Sequence, residues 1–494
     1  MAASPKAVII GGGLAGLSAA IRLQAQGYET TVLEKNSHLG GRMHQVKLGT
    51  HSFDFGPNTI TMPHVFQEVL GRSGLNPEDY FQFIRIPRHT KNVFSDGSSF
   101  YFSSEPGEMM EELAKLDEKS AGNYPAYLEE VKKLYHLANK HVFYRTFSSW
   151  RDYLSTPLAL GMLRSRPLEN LDHFHRRFFY DERIIRAFNR YATYIGSSPY
   201  RVPATFGLIG YLELHGGVYY TRGGNHQIAR GFVRAAQKLG VTFRTETDVI
   251  QAKVKDGLIR EVITHGEESI QGDVFILNGD LLTQVPRLLD SSDRPSLTDR
   301  KINGYEPSIS AFVILAAQNC RLPLHHHHVF FGEDPKKEFS DIFQHSRYGD
   351  DPTIYLCTSS KTDPDISPQG DNIFILINAP PLNKGGKAAL DKKNVEERIY
   401  MGLNQRGINL RKGLTASEIV DPSLIAERFY AYRGTLYGPA SNRGRDAFLR
   451  PFSRLGNIPN LYFVGGSTHP GGGSPMVVLG GQNVADLIVR NHGR

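Results

Sequence analysis

The chain has 494 residues, 40% of them hydrophobic and 22% charged, so it carries apolar material for a sizeable core and roughly three domains' worth of length. A formal charge of +7, with no zinc-ligand spacing, no glycine-aromatic RNA signature and no basic helix-turn-helix pattern, argues against a nucleic-acid partner. Two cysteines, Cys320 and Cys357, exclude a disulfide framework and are expected to be free thiols in small core positions.

The N-terminal MAASPKAVIIGGG enters a short apolar strand at residues 7 to 10 with no room for a signal peptide, and no run of about 18 apolar residues occurs along the chain. A cytoplasmic protein that does not cross a membrane is therefore expected. The strand is followed by GGGLAG and by LSAAIRLQAQGY, whose Leu17, Ala20, Ile21 and Leu23 fall at helical spacing, and then by TTVLEKN, which reads as a second strand. These pieces predict a right-handed parallel βαβ unit.

Within it, Gly11, Gly13 and Gly16 supply G-x-G-x-x-G between strand and helix. The first glycine suits the tight turn, the second admits a pyrophosphate and the third lets the helix pack closely. The helix N-terminus favours negative charge there. Glu34, at the end of the second strand, is placed to accept hydrogen bonds from both ribose hydroxyls of a dinucleotide and disfavours the extra phosphate of NADP. In the extension EKNSHLGGRM, Gly40 and Gly41 give another close backbone approach, and Arg42 can pair with a pyrophosphate through its fork of donors.

Further along, NVFSDGSSFYF alternates around Asp96-Gly97 and predicts a hairpin. Residues 107 to 200 are mostly helical in pattern. Their Arg145, Arg151, Arg164, Arg166, Arg176, Arg177, Arg183, Arg186 and Arg190, interleaved with Phe, Tyr and Leu, suggest an anionic lipid surface as partner, or else a solvated basic face. A glycine turn, an amphipathic helix and a strand follow from GVYYTRGG to TETDVIQAKV, and DVFILNG adds a strand at 273 to 279. SISAFVILAA, TIYLCTSS and NIFILINA predict an antiparallel sheet. The end of the chain returns to strand and helix through NLYFVGGSTHPGGGSPMVVLGGQNVADLIVR, with seven glycines between Gly465 and Gly481.

The fingerprint followed by L-G-G-R resembles FAD proteins of the amine oxidase and carotenoid desaturase type. FDFGPNTITMP at 53 to 63 and YFVGGSTHPGGGSPMV near the end are similar to the flavin-flanking segments of carotenoid desaturases. YIGSSPYRVPA, DDPTIYLCTSSKTDP and SNRGRDAF resemble the branch that acts on diapocarotenoids. VGGSTHPGGGSPMVVLGGQNVAD is closer to the terminal-methyl oxygenases of that branch, having GGQ where the desaturases favour SAK.

The resemblance implies an α/β fold: a discontinuous Rossmann-like FAD-binding domain from residues 1–84, 217–290 and 426–494, an antiparallel-sheet substrate domain from 85–105 and 291–425, and a helical lid at 106–216 that faces the membrane. It implies FAD as cofactor. Gly11, Gly13, Gly16, Glu34, Gly41 and Arg42 would hold the ADP half, while Asn58, Thr59, Gly465, Gly466, Pro475, Met476 and Val477 would border the ribityl chain and flavin ring. Val249 would meet the adenine through its backbone. The implied activity is FAD-dependent oxidation of a terminal methyl of 4,4'-diaponeurosporene or diapolycopene to the aldehyde, in an enzyme peripherally associated with the cell membrane. A diapophytoene desaturase and a non-catalytic isoprenoid escort protein on a related domain are the alternatives.

His469 is the titratable residue expected nearest the flavin. It either orients a substrate end or relays a proton, or it is a turn histidine before Pro470 bound to backbone. The run His325 to His328 predicts no metal site, because consecutive strand residues point to opposite faces; it is expected to be structural or solvent-exposed.

Overall fold

The computed structural model describes residues 4–389 and 391–492. The strand Lys6–Ile10 lies at the centre of a five-stranded parallel sheet with the order Leu461–Val464, Val274–Asn278, Lys6–Ile10, Glu29–Leu33, Thr242–Arg244. Both faces of this strand are covered, which is why it reads as an unbroken apolar run. Ala7 and Ile9 join one core with Leu17 and Ile21 of the helix Leu14–Ala25, whereas Val8 and Ile10 join another with Leu282 and Val285. Burying side chains such as Leu17 and Ile21 fully stabilises by about 1.5–3 kcal/mol each. The first strand and the last one, more than 450 residues apart in sequence (461 minus 6), thus belong to one sheet.

The second sheet has seven strands in the order Leu414–Val420, Ser310–Gln318, Asn372–Ala379, Ile354–Cys357, His327–Phe330, Arg88–Val93, Ser99–Ser103. It is mixed, which corrects the purely antiparallel expectation: His327–Phe330 and Arg88–Val93 run parallel. The antiparallel strands leave the edge of His327–Phe330 with unpaired backbone groups. The hairpin around Asp96-Gly97, arriving from far earlier in the chain, covers that edge in the parallel sense. Side-chain alternation gives this sheet one face that carries Ala311, Val313, Tyr355, Phe374 and Leu376, and helical segments between 139 and 214 lie across it.

One expectation about the surface is corrected. Cys357 is buried, but Cys320 is exposed. Four of the nine arginines from 145 to 190 make ion pairs among the described residues, with acids mostly of the same stretch: Arg166 pairs with Glu130 and Glu169, Arg176 with Asp172 and Glu182, Arg177 with Glu169, and Arg183 with Asp96 and Asp181. Beside exposed arginines such as Arg151 and Arg164, the segment also exposes apolar side chains. Leu168 is 98% exposed, Leu154 81%, Leu163 72% and Trp150 61%. Among the described residues, no helix is long and apolar enough to cross a membrane.

Candidate active site

The carboxyl ends of the parallel strands open on one continuous cavity of roughly 570 Å³, where ligands bind in open α/β sheets. Gly11 takes φ +105° at the tight turn, and a Cβ there would meet the Asn278 carbonyl oxygen at 2.2 Å. Gly13 precedes the helix Leu14–Ala25 and offers no side-chain cap, so the first helical amides face the cavity without a protein partner at the cap. Across from it stands Gly41, at φ +59°; a Cβ on Gly41 would lie 3.1 Å from the Gly13 Cα. The two glycines form the bare-backbone cradle that a pyrophosphate needs. Gly16 lies behind this wall, where a Cβ would meet the Gly11 carbonyl at 2.4 Å, so its part is close packing.

Glu34 is buried at the cavity edge. Its Oε2 accepts the Gly12 N–H at 2.8 Å, and its Oε1 accepts the Asn36 N–H and Nδ2 at 2.9 and 2.8 Å. Those bonds fix the orientation of the carboxylate at the cavity edge. Arg42 also lines the cavity, but its guanidinium is anchored: it donates to the Leu436 and Thr435 carbonyls and lies over the Phe429 ring at 5.6 Å. Val249 borders the same end beside Thr247 and Asp248, with its carbonyl accepting from Arg287 Nη2 at 2.6 Å.

Asn58, Thr59, Gly465, Gly466, Pro475, Met476 and Val477 come together at the middle of the cavity. Positive φ at Gly465, Gly471 and Gly473 lets the loop fold tightly before the helix Ser474–His492, and that helix delivers its N-terminus to the cavity wall. Beyond it the cavity continues between the face bearing Ala311, Val313, Phe374 and Leu376 and the opposing Phe143, Leu208, Ile209 and Leu212. This stretch is lined by aliphatic and aromatic groups with few polar ones.

His469 is not on the cavity wall. Its Nε2 donates to the Phe448 carbonyl at 3.0 Å and lies 2.8 Å from the Tyr153 hydroxyl, with Phe147 packed against the ring. Burial, helped by Arg450, pulls its pKa down to about 3, so the ring is neutral and bound to backbone. The expectation of a proton relay there is corrected: the turn reading is the one the geometry fits. Of the histidine run, expected to be structural or solvent-exposed, His326, His327 and His328 are buried.

Several cavity residues escaped the sequence reading. Asn278, the last residue of its strand, donates through Nδ2 to the Gly11 and Gly13 carbonyls at 2.9 and 3.2 Å and so locks the fingerprint turn. Asp280 accepts from Ser467 Oγ at 2.9 Å and from the Tyr432 N–H at 3.0 Å, tying the end of this strand to the C-terminal glycine loop; burial raises its pKa. Arg450 donates to the Gly466 carbonyl at 3.0 Å, and burial lowers its pKa to about 10. Asn278, which closes the apolar strand in DVFILNG, and Asp280 just after it were findable as polar residues at a strand end; nothing near Arg450 announced it. Thr59, Tyr194 and Tyr355 line the cavity together, and Tyr194 donates to the fully buried Glu213. Burial raises the Glu213 pKa against the pull of Arg190.

Comparison with known proteins agrees with this geometry. The family of flavin containing amine oxidoreductases matches residues 14–489. A 4,4'-diapolycopene oxygenase from Methylomonas sp is 32% identical over 489 residues, covering 98% of both chains. A 1-hydroxycarotenoid 3,4-desaturase from Flavobacterium sp. is 33% identical over 491 residues, covering 98% of this chain and 99% of its own. Among solved structures, an oxidoreductase from Methanosarcina mazei superposes with a TM-score of 0.65 at 17% identity, covering 97% of this chain and all of its own.

Proposed function

The chain belongs to the flavin-containing amine oxidoreductase family, as an FAD-dependent oxidoreductase related to carotenoid-modifying enzymes, and from that premise we propose that it oxidises the terminal methyl group of a diapocarotenoid to the aldehyde. The observation that carries this reading is the single cavity that starts at the Gly13–Gly41 cradle, passes Gly466 and Pro475, and ends as an apolar channel against the second sheet. A long hydrocarbon substrate has no polar handle, so the protein's part is to align it and exclude water while the cofactor provides reactivity. Bound in the cradle, FAD supplies a two-electron acceptor for a hydride from an activated C–H.

The residues of this chain then have distinct parts. Gly13, Gly41 and the N-termini of Leu14–Ala25 and Ser474–His492 hold the dinucleotide. Ala311, Val313, Phe374 and Leu376 hold the polyene along the sheet. Tyr194, Tyr355 and Thr59 are the hydroxyl groups on the wall where the two sites meet. Converting a methyl to an aldehyde removes four electrons and adds one oxygen; dioxygen balances the change, giving the aldehyde and one water. A second reading, desaturation, is favoured by the similarity to the 1-hydroxycarotenoid 3,4-desaturase. It removes two hydrogens and adds no oxygen.

The same proposal divides the chain into the dinucleotide segments 1–84, 217–290 and 426–494 and a substrate part between them. It also docks the exposed apolar surface of Trp150, Leu154, Leu163 and Leu168 on the cell membrane, so that the substrate enters without crossing water. Arg151 and Arg164, which make no ion pair among the described residues, are placed to meet anionic headgroups there. The deciding test expresses the chain in cells that make diaponeurosporene and weighs the product. Gain of oxygen supports the oxidase. Loss of hydrogens alone establishes the desaturase, and a purified protein that takes up no flavin overturns both.

A further inference from the structure

His327 begins its strand directly opposite Cys357 in the antiparallel pair, so both side chains lie on one face of the sheet. His326 sits just before the strand, outside the alternation that would send neighbours to opposite faces, and its carbonyl accepts the Thr358 N–H at 2.8 Å. The two rings meet edge to face with centroids 4.4 Å apart. A ring nitrogen of each histidine and Cys357 Sγ all lie within 4.8 Å of one another, and all three residues are buried. His326 Nδ1 lies 2.5 Å from Thr362 Oγ1, and His327 Nδ1 lies 2.8 Å from the Tyr355 hydroxyl. The remaining nitrogens, Nε2 of both rings, are buried without a hydrogen-bond partner.

Two histidines beside a thiol, each with Nε2 unpartnered among the described residues and Nδ1 held by a hydroxyl, form the arrangement that ligating histidines adopt, where the outer bond fixes the tautomer and aims the lone pair. We propose that Nε2 of His326, Nε2 of His327 and Sγ of Cys357 bind a single thiophilic d10 metal ion, Cu(I) or Zn(II), behind the wall of the substrate channel. Two imidazoles and a thiolate suit a soft or borderline ion, and the absence of a carboxylate among the donors excludes Mg(II) and Ca(II). Cu(I) is the better charge match: on binding, the Cys357 proton leaves to solvent and the buried ion with its thiolate is neutral. Zn(II) leaves one net charge, which the nearby Asp54 offsets in part and Arg190 opposes. The bound ion would hold His327, and through it the Tyr355 hydroxyl, at a fixed place on the channel wall.

The test uses the full-length protein with its flavin. Reduced protein is titrated anaerobically with Cu(I) presented as its bicinchoninate complex, and separately with Zn(II) against a chromophoric chelator. One ion per chain is expected for wild type and for Cys320→Ser, with affinity lowered at least tenfold in Cys357→Ser, His326→Gln and His327→Gln. Uptake that is absent in wild type, or equal in wild type and Cys357→Ser, overturns the proposal. Should the variants lose flavin and fold, X-ray absorption of the loaded wild type decides: one sulfur and two imidazole scatterers support the site, and the lack of a sulfur scatterer overturns it.

Discussion

A Cβ on Gly481 would stand 2.3 Å from the carbonyl oxygen of Ala15, so the C-terminal helix and the fingerprint helix meet backbone to backbone. The contact is sealed by Ser18 Oγ donating to the Val478 carbonyl at 2.9 Å and by Gln482 Nε2 donating to the Ser18 carbonyl at 2.8 Å. It sets the distance between Gly13 and Pro475, the two sides of the cofactor site. Gly481→Val forces these helices apart and is expected to destabilise the fold by about 1–3 kcal/mol and to lower flavin content. Thermal unfolding and the flavin-to-protein absorbance ratio check it, and wild-type values for both would contradict this role for the contact.

Glu34 has the geometry of a ribose acceptor already aligned by the Gly12 amide and Asn36. Replacing it by Gln removes the charge while keeping the shape, and a hydrogen bond to a charged group contributes about 1.5–3 kcal/mol. Flavin affinity should therefore drop by about 10- to 100-fold, with the fold retained. Fluorescence titration of the apoprotein with FAD measures it; an unchanged dissociation constant removes Glu34 from the site.

Buried histidines make the protein acid-labile. His469 and His175 are held at pKa values of about 3 and about 4 by burial, below the 6.5 of the unfolded chain. Because the unfolded state binds these protons first, stability is full above about pH 6.5 and falls as the pH drops toward 4. Glu338 works in the opposite sense: burial raises it to about 7, so its contribution is present below its unfolded pKa and is lost as pH rises through 7. Between pH 6 and 4 the histidines outweigh it, for a net loss on the order of 3 kcal/mol. Urea midpoints across that range should fall with pH, and His469→Asn should flatten the slope. A midpoint that rises on acidification is the opposing result.

The channel makes its own prediction. Val313 faces the cavity opposite Leu376 in the sheet register. Val313→Trp should fill this part of the channel while leaving the glycine cradle intact. Flavin binding is expected to stay within about twofold, and turnover of a diapocarotenoid to drop by at least about tenfold. Retained turnover with retained flavin would place the substrate elsewhere.

The dinucleotide site was readable from sequence because its constraints are local: φ of +105° at Gly11 and the backbone contact of Gly13 with Gly41 admit little but glycine, and the motif spacing reflects that. The second glycine cluster was readable as a partner for the first, although the part played by Gly481 against Ala15 depends on a helix crossing that no local pattern encodes. The parallel pairing of His327–Phe330 with Arg88–Val93 joins segments more than 230 residues apart (327 minus 93), and strand periodicity does not carry the sense of such a pair. The meeting of His326 with Cys357 was hidden for the same reason, since it needs the register of a second strand. The Arg-rich stretch did not reveal its pairing with Glu130 and Asp96, which lie outside it in sequence.

This pairing bears on what the proposed membrane contact rests on. With Arg166, Arg176 and Arg183 already paired, electrostatic attraction is left to residues such as Arg151 and Arg164, and the exposed leucines carry most of the affinity. Fully burying a leucine contributes about 1.5–3 kcal/mol, so Leu154→Asp combined with Leu163→Asp should weaken vesicle binding by about 100-fold or more. Arg151→Ala with Arg164→Ala should weaken it only a few-fold, and only at low salt, because headgroup attraction is screened. Co-sedimentation with anionic vesicles, at low and high salt, separates the two effects. Binding that is abolished by salt and untouched by the leucine changes would return the arginines to the leading part, and a wild-type protein that stays in the supernatant at low salt would remove the membrane contact altogether.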